Sequence, residues 1–162
     1  MKPIIIMTDE FFPTKAGIAV FVDGLAKALH EEGFALKLWC PKHWNLKELK
    51  FSYPVERVAV DSGQKPRHRK QWGRFLKRNL DRWKNHRLLL ASPTPIYTFM
   101  EATRWGLPVP EEFDLIFHGN EISRLTKTSL DRDLLYQLLI RAQSVGVVSS
   151  FGRKRLLECF PD

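Results

Sequence analysis

The chain has 162 residues, 44% of them hydrophobic, and a formal net charge of +8. That length suits one domain with a substantial core, about 70% of the unfolded surface being buried at this size. No apolar run approaches the roughly 20 residues that span a bilayer. Ile4 to Met7 is too short for the apolar region of a signal peptide, and Cys40 and Cys159 offer neither metal spacing nor a disulfide framework. A cytoplasmic protein with two ordinary thiols is the expectation.

The first stretch, from Pro3, is a continuous apolar run ending at Thr8, which suits a strand buried on both faces. A polar loop follows, and Ala16-Gly17 leads into a helix from Ile18 to Glu32. Ile18, Phe21, Val22, Leu25, Ala26 and Leu29 share one stripe of that helix, and Gly33 is its stop. The helix start therefore emerges at the carboxyl end of a buried strand. Its unpaired N–H groups and dipole suit an anion such as phosphate, and Gly17 lets a ligand oxygen approach the backbone. The plainer alternative is a glycine that only relieves a turn, as in most strand–loop–helix units. A dinucleotide site is not expected: Gly-x-Gly-x-x-Gly is missing, and the second strand ends in Trp39-Cys40-Pro41 without an acid for a ribose.

Ala35 to Cys40 reads as that second strand, Pro41 to Tyr53 as a loop or short helix, and Val55 to Val60 as a third strand. Asp61 to Pro66 is linker-like. Lys70 to Lys84 is a helix with Trp72, Phe75, Leu76, Leu80 and Trp83 on one face. Arg87 to Ala91 is a fourth strand, followed by a helix with Pro95 in its first turn that runs to about Trp105 and stops at Gly106 and Pro108. Asp114 to His118 is a fifth strand, and Gly119-Asn120-Glu121 opens a loop. Leu130 to Ala142 is helical, with Asp131 or Asp133 near its start. Val145 to Val148 is a sixth strand, and Ser149 or Ser150 caps a last helix to Cys159.

Strands and helices alternate throughout. The expected fold class is α/β: a three-layer α/β/α sandwich with a mostly parallel sheet of about six strands. Ligands should then sit at the carboxyl ends of the strands, which carry Thr8-Asp9-Glu10, Cys40-Pro41, Ser92-Pro93, His118-Gly119 and Ser149-Ser150.

The charge is concentrated. Lys65 to Arg87 holds ten Lys or Arg and one acid, Asp81, while the rest of the chain has sixteen basic and seventeen acidic side chains. Three readings stand. The charges face water while the aromatics pack on the sheet; or the segment binds anionic lipid as an interfacial helix; or it binds nucleic acid. No nucleic-acid motif supports the third, so nucleic acid is not the expected partner. Arg74, Lys77, Arg78 and Arg82 are the candidate residues for an anionic surface.

Phe12-Pro13, then Ala16-Gly17-Ile18-Ala19 and a helix ending Leu-Ala-Lys-Ala-Leu-His-Glu-Glu-Gly, resembles the start of family 4 glycosyltransferases. His118-Gly119-Asn120-Glu121 is similar to that family's His-Gly-x-Glu stretch. Ser92-Pro93, Gly106-Leu107-Pro108 and Val147-Val148-Ser149-Ser150 fall in the family's order. Ala16 departs from the family's paired glycine and fits if its φ is negative.

The resemblance implies that residues 1–162 form one Rossmann-like N-terminal domain, half of a GT-B fold, with the nucleotide-sugar-binding domain not in this chain. It implies sugar transfer from a nucleotide-sugar donor with retention and no further cofactor, and no His, Cys or carboxylate cluster has metal-ligand spacing. The acceptor would be a glycan or lipid-linked molecule, reached from the cytoplasm and, on the lipid reading, from the inner face of the membrane. In that scheme His118 is the catalytic-site residue and touches the transferred sugar, and Gly17 and Ile18 hold the donor diphosphate. Gly119, Glu121 and Asp9 are sugar or acceptor contacts. The alternatives are a structural histidine bonded to a carbonyl, a solvated loop acid at Glu121, and a cap or surface role for Asp9 and its neighbour Glu10. The rival to an enzyme is a non-catalytic basic binding module acting through Lys65 to Arg87.

Overall fold

The computed structural model describes residues 2–43 and 49–161; residues 44–48, inside the segment expected to be a loop or short helix, lie outside the described residues. Six strands form one sheet: β1 (Ile4–Met7), β2 (Leu36–Pro41), β3 (Val55–Val58), β4 (Arg87–Leu90), β5 (Phe113–Phe117) and β6 (Ser144–Val147). Every pairing is parallel, in the order β3-β2-β1-β4-β5-β6. The order reverses between β1 and β4. In a doubly wound sheet that is where a crevice opens at the carboxyl ends.

Helices cover both faces. α1 (Gly17–Glu31) lies on one, where Val22 and Ala26 pack with Ile4, Ile6, Leu36, Leu38 and Cys40. α2 (Pro66–Arg78), α3 (Pro93–Met100) and α6 (Ser129–Leu139) cover the other, where Ile5, Met7, Trp39, Leu88, Leu90, Phe113 and Leu115 meet Trp72, Leu76, Phe99 and Leu135. The alternation Ile4, Ile6 against Ile5, Met7 is the period of two that sends successive side chains to opposite faces. Each such aliphatic side chain taken out of water stabilises the sheet by roughly 1.5–3 kcal/mol.

The largest helix differences from the sequence expectation are three; α6 also ends at Leu139, short of Ala142. α2 starts at Pro66 and not at Lys70, with Pro66 in its first turn, where a missing N–H costs nothing; it ends at Arg78 and continues as a short 3₁₀ turn, Leu80–Arg82. The helix after β4 starts at Pro93 and breaks at Glu101, whose ψ of 20° leaves the helical region; α4 (Ala102–Trp105) then runs to a left-handed Gly106. The loop expected after Gly119 contains α5 (Glu121–Leu125). α7 (Ser150–Cys159) begins as expected, with Ser149 Oγ accepting the Gly152 N–H at 3.0 Å.

Candidate functional site

The carboxyl ends of β1, β4 and β5 bring Asp9-Glu10, Ala91-Ser92 and His118-Gly119 to one rim. The start of α1 reaches the same rim. Ala16 is its N-cap with φ −102°, a value an alanine adopts freely, so alanine costs the loop nothing here. No side chain caps this helix, leaving its first N–H groups to solvent or to a ligand. A Cβ on Gly17 would meet nothing within 4 Å and its φ is not positive; nothing in the fold requires glycine there. Gly17 is exposed and Ile18 half-buried.

Arg57 holds the loop before that helix. Its guanidinium donates to the Phe12 carbonyl at 2.5 Å and the Pro41 carbonyl at 3.3 Å, ahead of a cis Phe12–Pro13 bond. Behind the loop, Phe11, Phe12, Phe51 and Tyr53 pack ring to ring.

Four groups fix His118. Nε2 lies 3.0 Å from the Ala91 carbonyl oxygen, and a carbonyl only accepts, so Nε2 carries the hydrogen. Nδ1 is left as the atom free to bond a ligand. Phe21 meets the imidazole edge-on. The backbone N–H of His118 donates to the Glu121 carboxylate, which is buried beneath it. Gly119 follows with φ +123°, and a Cβ there would lie 3.3 Å from Ser149 Oγ. Only glycine satisfies both the turn and that close approach. The carbonyl bond and an open Nδ1 coexist, so the structural and functional readings of His118 are not exclusive. Glu121 grips the main chain and not the imidazole.

Asp9 is turned into the interior. It is 1% exposed, with Oδ2 at 2.7 Å from Thr94 Oγ1 and no hydrogen-bond partner for Oδ1. Burial pushes its carboxyl up, against the pull of the Ser92 and Thr94 hydroxyls. In this conformation a ligand at the rim does not reach it. Its neighbour Glu10 is half-buried at the rim, where burial pushes its carboxyl up. Glu10 is thus the acid that shares the rim with His118. The chain's turn between the two acids is what separates them.

On α2 the aromatic face belongs to the core: Trp72 and Leu76 are fully buried, as is Trp83 beyond it. None is available to insert into lipid or stack on a base. The charges divide along the helix. Arg82 pairs with Glu56 through both carboxylate oxygens at 2.6 and 2.7 Å, Lys84 with Asp81, and Arg87 with Asp114. Lys65, Arg67, Lys70, Arg74, Lys77 and Arg78 are exposed and make no ion pair among the described residues. Arg82, expected to serve an anionic surface, is committed to Glu56.

Burial pushes the Cys40 thiol up to about 12, against a counter-pull from Arg57, so it is inert. Cys159 is a free thiol. Among the described residues no group of three His, Cys, Asp or Glu is placed to hold a metal ion, and no helix is long and apolar enough to cross a membrane. No protein-family model matches the chain, and no curated protein matches it in sequence.

Proposed function

We propose that the chain is the acceptor-side domain of a two-domain, retaining glycosyltransferase of the family 4 type. The observation that carries the proposal is the meeting of α1 and β5 at one rim, with the uncapped start of α1 and His118 linked through Phe21. The departing diphosphate would lie against the Gly17 and Ile18 N–H groups, where donors fixed in advance stabilise developing charge. Nδ1 of His118, with Nε2 tied to Ala91, would bond a hydroxyl of the transferred sugar. Gly119 keeps that corner free of side chain, and Glu121 holds the main chain that presents it. A second domain would bind the rest of the nucleotide-sugar, so residues 1–162 alone should turn none over.

The test is a transfer assay over a panel of nucleotide-sugars and lipid-linked acceptors, using the full reading frame that contains this chain. Wild type should transfer, and His118→Ala should lose transfer with an unchanged melting temperature. Full activity in the variant would refute the role of His118.

A second reading is favoured by the unpaired cations of α2: a basic surface that binds anionic membrane without inserting. With the aromatic face buried, the attraction is electrostatic, about 1 kcal/mol per basic residue near a charged leaflet, and is lost in salt. Sedimentation with phosphatidylserine and with phosphatidylcholine vesicles tests it; equal binding to both would end it. It is compatible with the first and places the domain at the inner face of a membrane.

A further inference from the structure

The carboxyl group of Asp9 sits where three segments meet: the end of β1, the β3–α2 connection and the start of α3. Its Oδ2 is 2.7 Å from Thr94 Oγ1, and that hydroxyl oxygen is 2.9 Å from the Gly63 carbonyl oxygen. Thr94 has one hydroxyl hydrogen. If Asp9 is ionised, both neighbours can only accept, and one contact brings two oxygens together with no hydrogen between them. A proton on Asp9 removes the conflict: Oδ2–H donates to Thr94 Oγ1, and Thr94 donates to Gly63. The buried, unpartnered Oδ1 is then a neutral carbonyl oxygen, which is less costly than half a buried charge.

We propose that Asp9 carries a proton in the folded protein, that this proton latches the Gly63 turn and the first turn of α2 onto the rim, and that its loss releases them. The turn is tight: Gly63 has φ +124°, and a Cβ there would lie 2.6 Å from the buried ring of His68 in the first turn of α2. Ser62 adds a second tie, its hydroxyl donating to the Asp9 carbonyl at 2.7 Å. The titratable and charged groups on the segments that meet at the node are Glu10 on the same segment, Asp61, Lys65, Arg67 and His68 on the β3–α2 side, and His118 beyond Glu10. No Lys or Arg among the described residues pairs with Asp9, so no cation offsets the burial that opposes its charge. A carboxyl held above its unfolded value stabilises the fold fully at low pH, and that contribution is lost as pH rises through the folded value.

The experiment is a ¹³C-carboxyl NMR titration of the chain together with amide hydrogen exchange of residues 63–69, in wild type and Asp9→Asn. Asparagine can donate to Thr94 as the protonated acid does. Asp9 should stay neutral over the pH range in which exposed aspartates ionise. Exchange corrected for its intrinsic pH dependence should rise about three- to tenfold as Asp9 ionises, and should stay protected in Asp9→Asn. Ionisation of Asp9 alongside exposed aspartates would overturn the latch, as would exchange that ignores its titration. Should Asp9→Asn fail to fold, the wild-type titration and exchange decide alone.

Discussion

The ring of Phe21 meets the imidazole of His118 edge-on, with centroids 5.2 Å apart and planes at 87°. Phe21 is one turn inside α1 and His118 is the residue after β5, so this contact joins the uncapped helix start to the rim histidine. Phe21 is 37% exposed and does not fill the core, although its spacing puts it on the apolar stripe. Phe21→Ala should therefore cost little, about 1 kcal/mol, the scale of one aromatic pair. It should also move the His118 ring resonances in the NMR spectrum. A denaturant series and a proton spectrum check both halves.

Glu121 is a buried acceptor for a backbone donor. Glu121→Ala leaves the His118 N–H unsatisfied and should cost about 1–3 kcal/mol. Glu121→Gln keeps an acceptor oxygen and should lose much less. Urea midpoints of the two variants give the comparison.

Gly17 and Gly119 should answer substitution in opposite ways. Alanine at Gly119 must adopt φ +123° beside Ser149 and should destabilise by roughly 1–3 kcal/mol. Alanine at Gly17 meets open space in a helical position and should leave stability unchanged or raise it by about 0.4–1 kcal/mol. If the Gly17 amide faces a diphosphate, the same alanine should weaken pyrophosphate binding. Thermal melts with and without pyrophosphate separate the effects.

Arg82 and the α2 stripe should likewise separate. The Arg82–Glu56 pair is partly exposed, 42% and 31%, so Arg82→Ala should cost below about 1 kcal/mol. Burial raises the Glu56 pKa, but Arg82, Trp39 and Lys37 more than offset it, and the net shift is downward. A depressed carboxyl contributes stability above its unfolded value and loses it as pH falls through the folded one. The gap between wild type and Arg82→Ala should therefore close in acid. Arg74→Ala, Lys77→Ala and Arg78→Ala together should abolish any preference for anionic vesicles that wild type shows, and Arg82→Ala should not. Melts against pH and vesicle sedimentation provide the readouts.

β1, β2, β4 and β5 were legible as short apolar runs, because a strand buried on both faces leaves that mark in one stretch of sequence, while the edge strands β3 and β6 are only partly buried and β3, Val-Glu-Arg-Val, shows just a weak alternation. The Ser149 cap was legible for the same local reason. What escaped depends on residues distant in sequence. Asp9 meets Thr94 from 85 positions away and Arg82 meets Glu56 from 26. Neither pairing has a local pattern, so Asp9 could be placed at the rim but not turned inward. α5 escaped because its five residues are too few to show a helical period, and Pro66, which closes the linker-like stretch in the sequence, opens α2. The rim itself follows from topology: once the strands are parallel, Gly17 and His118 stand at the same end.

The most direct test of that rim as an anion and sugar site is a ¹⁵N and ¹H NMR titration of the chain with inorganic pyrophosphate at low salt. The proposed site predicts saturable shifts of the Gly17 and Ile18 amides together with the His118 ring. Shifts confined to Lys65 through Arg78, with Gly17, Ile18 and His118 unmoved, would contradict it.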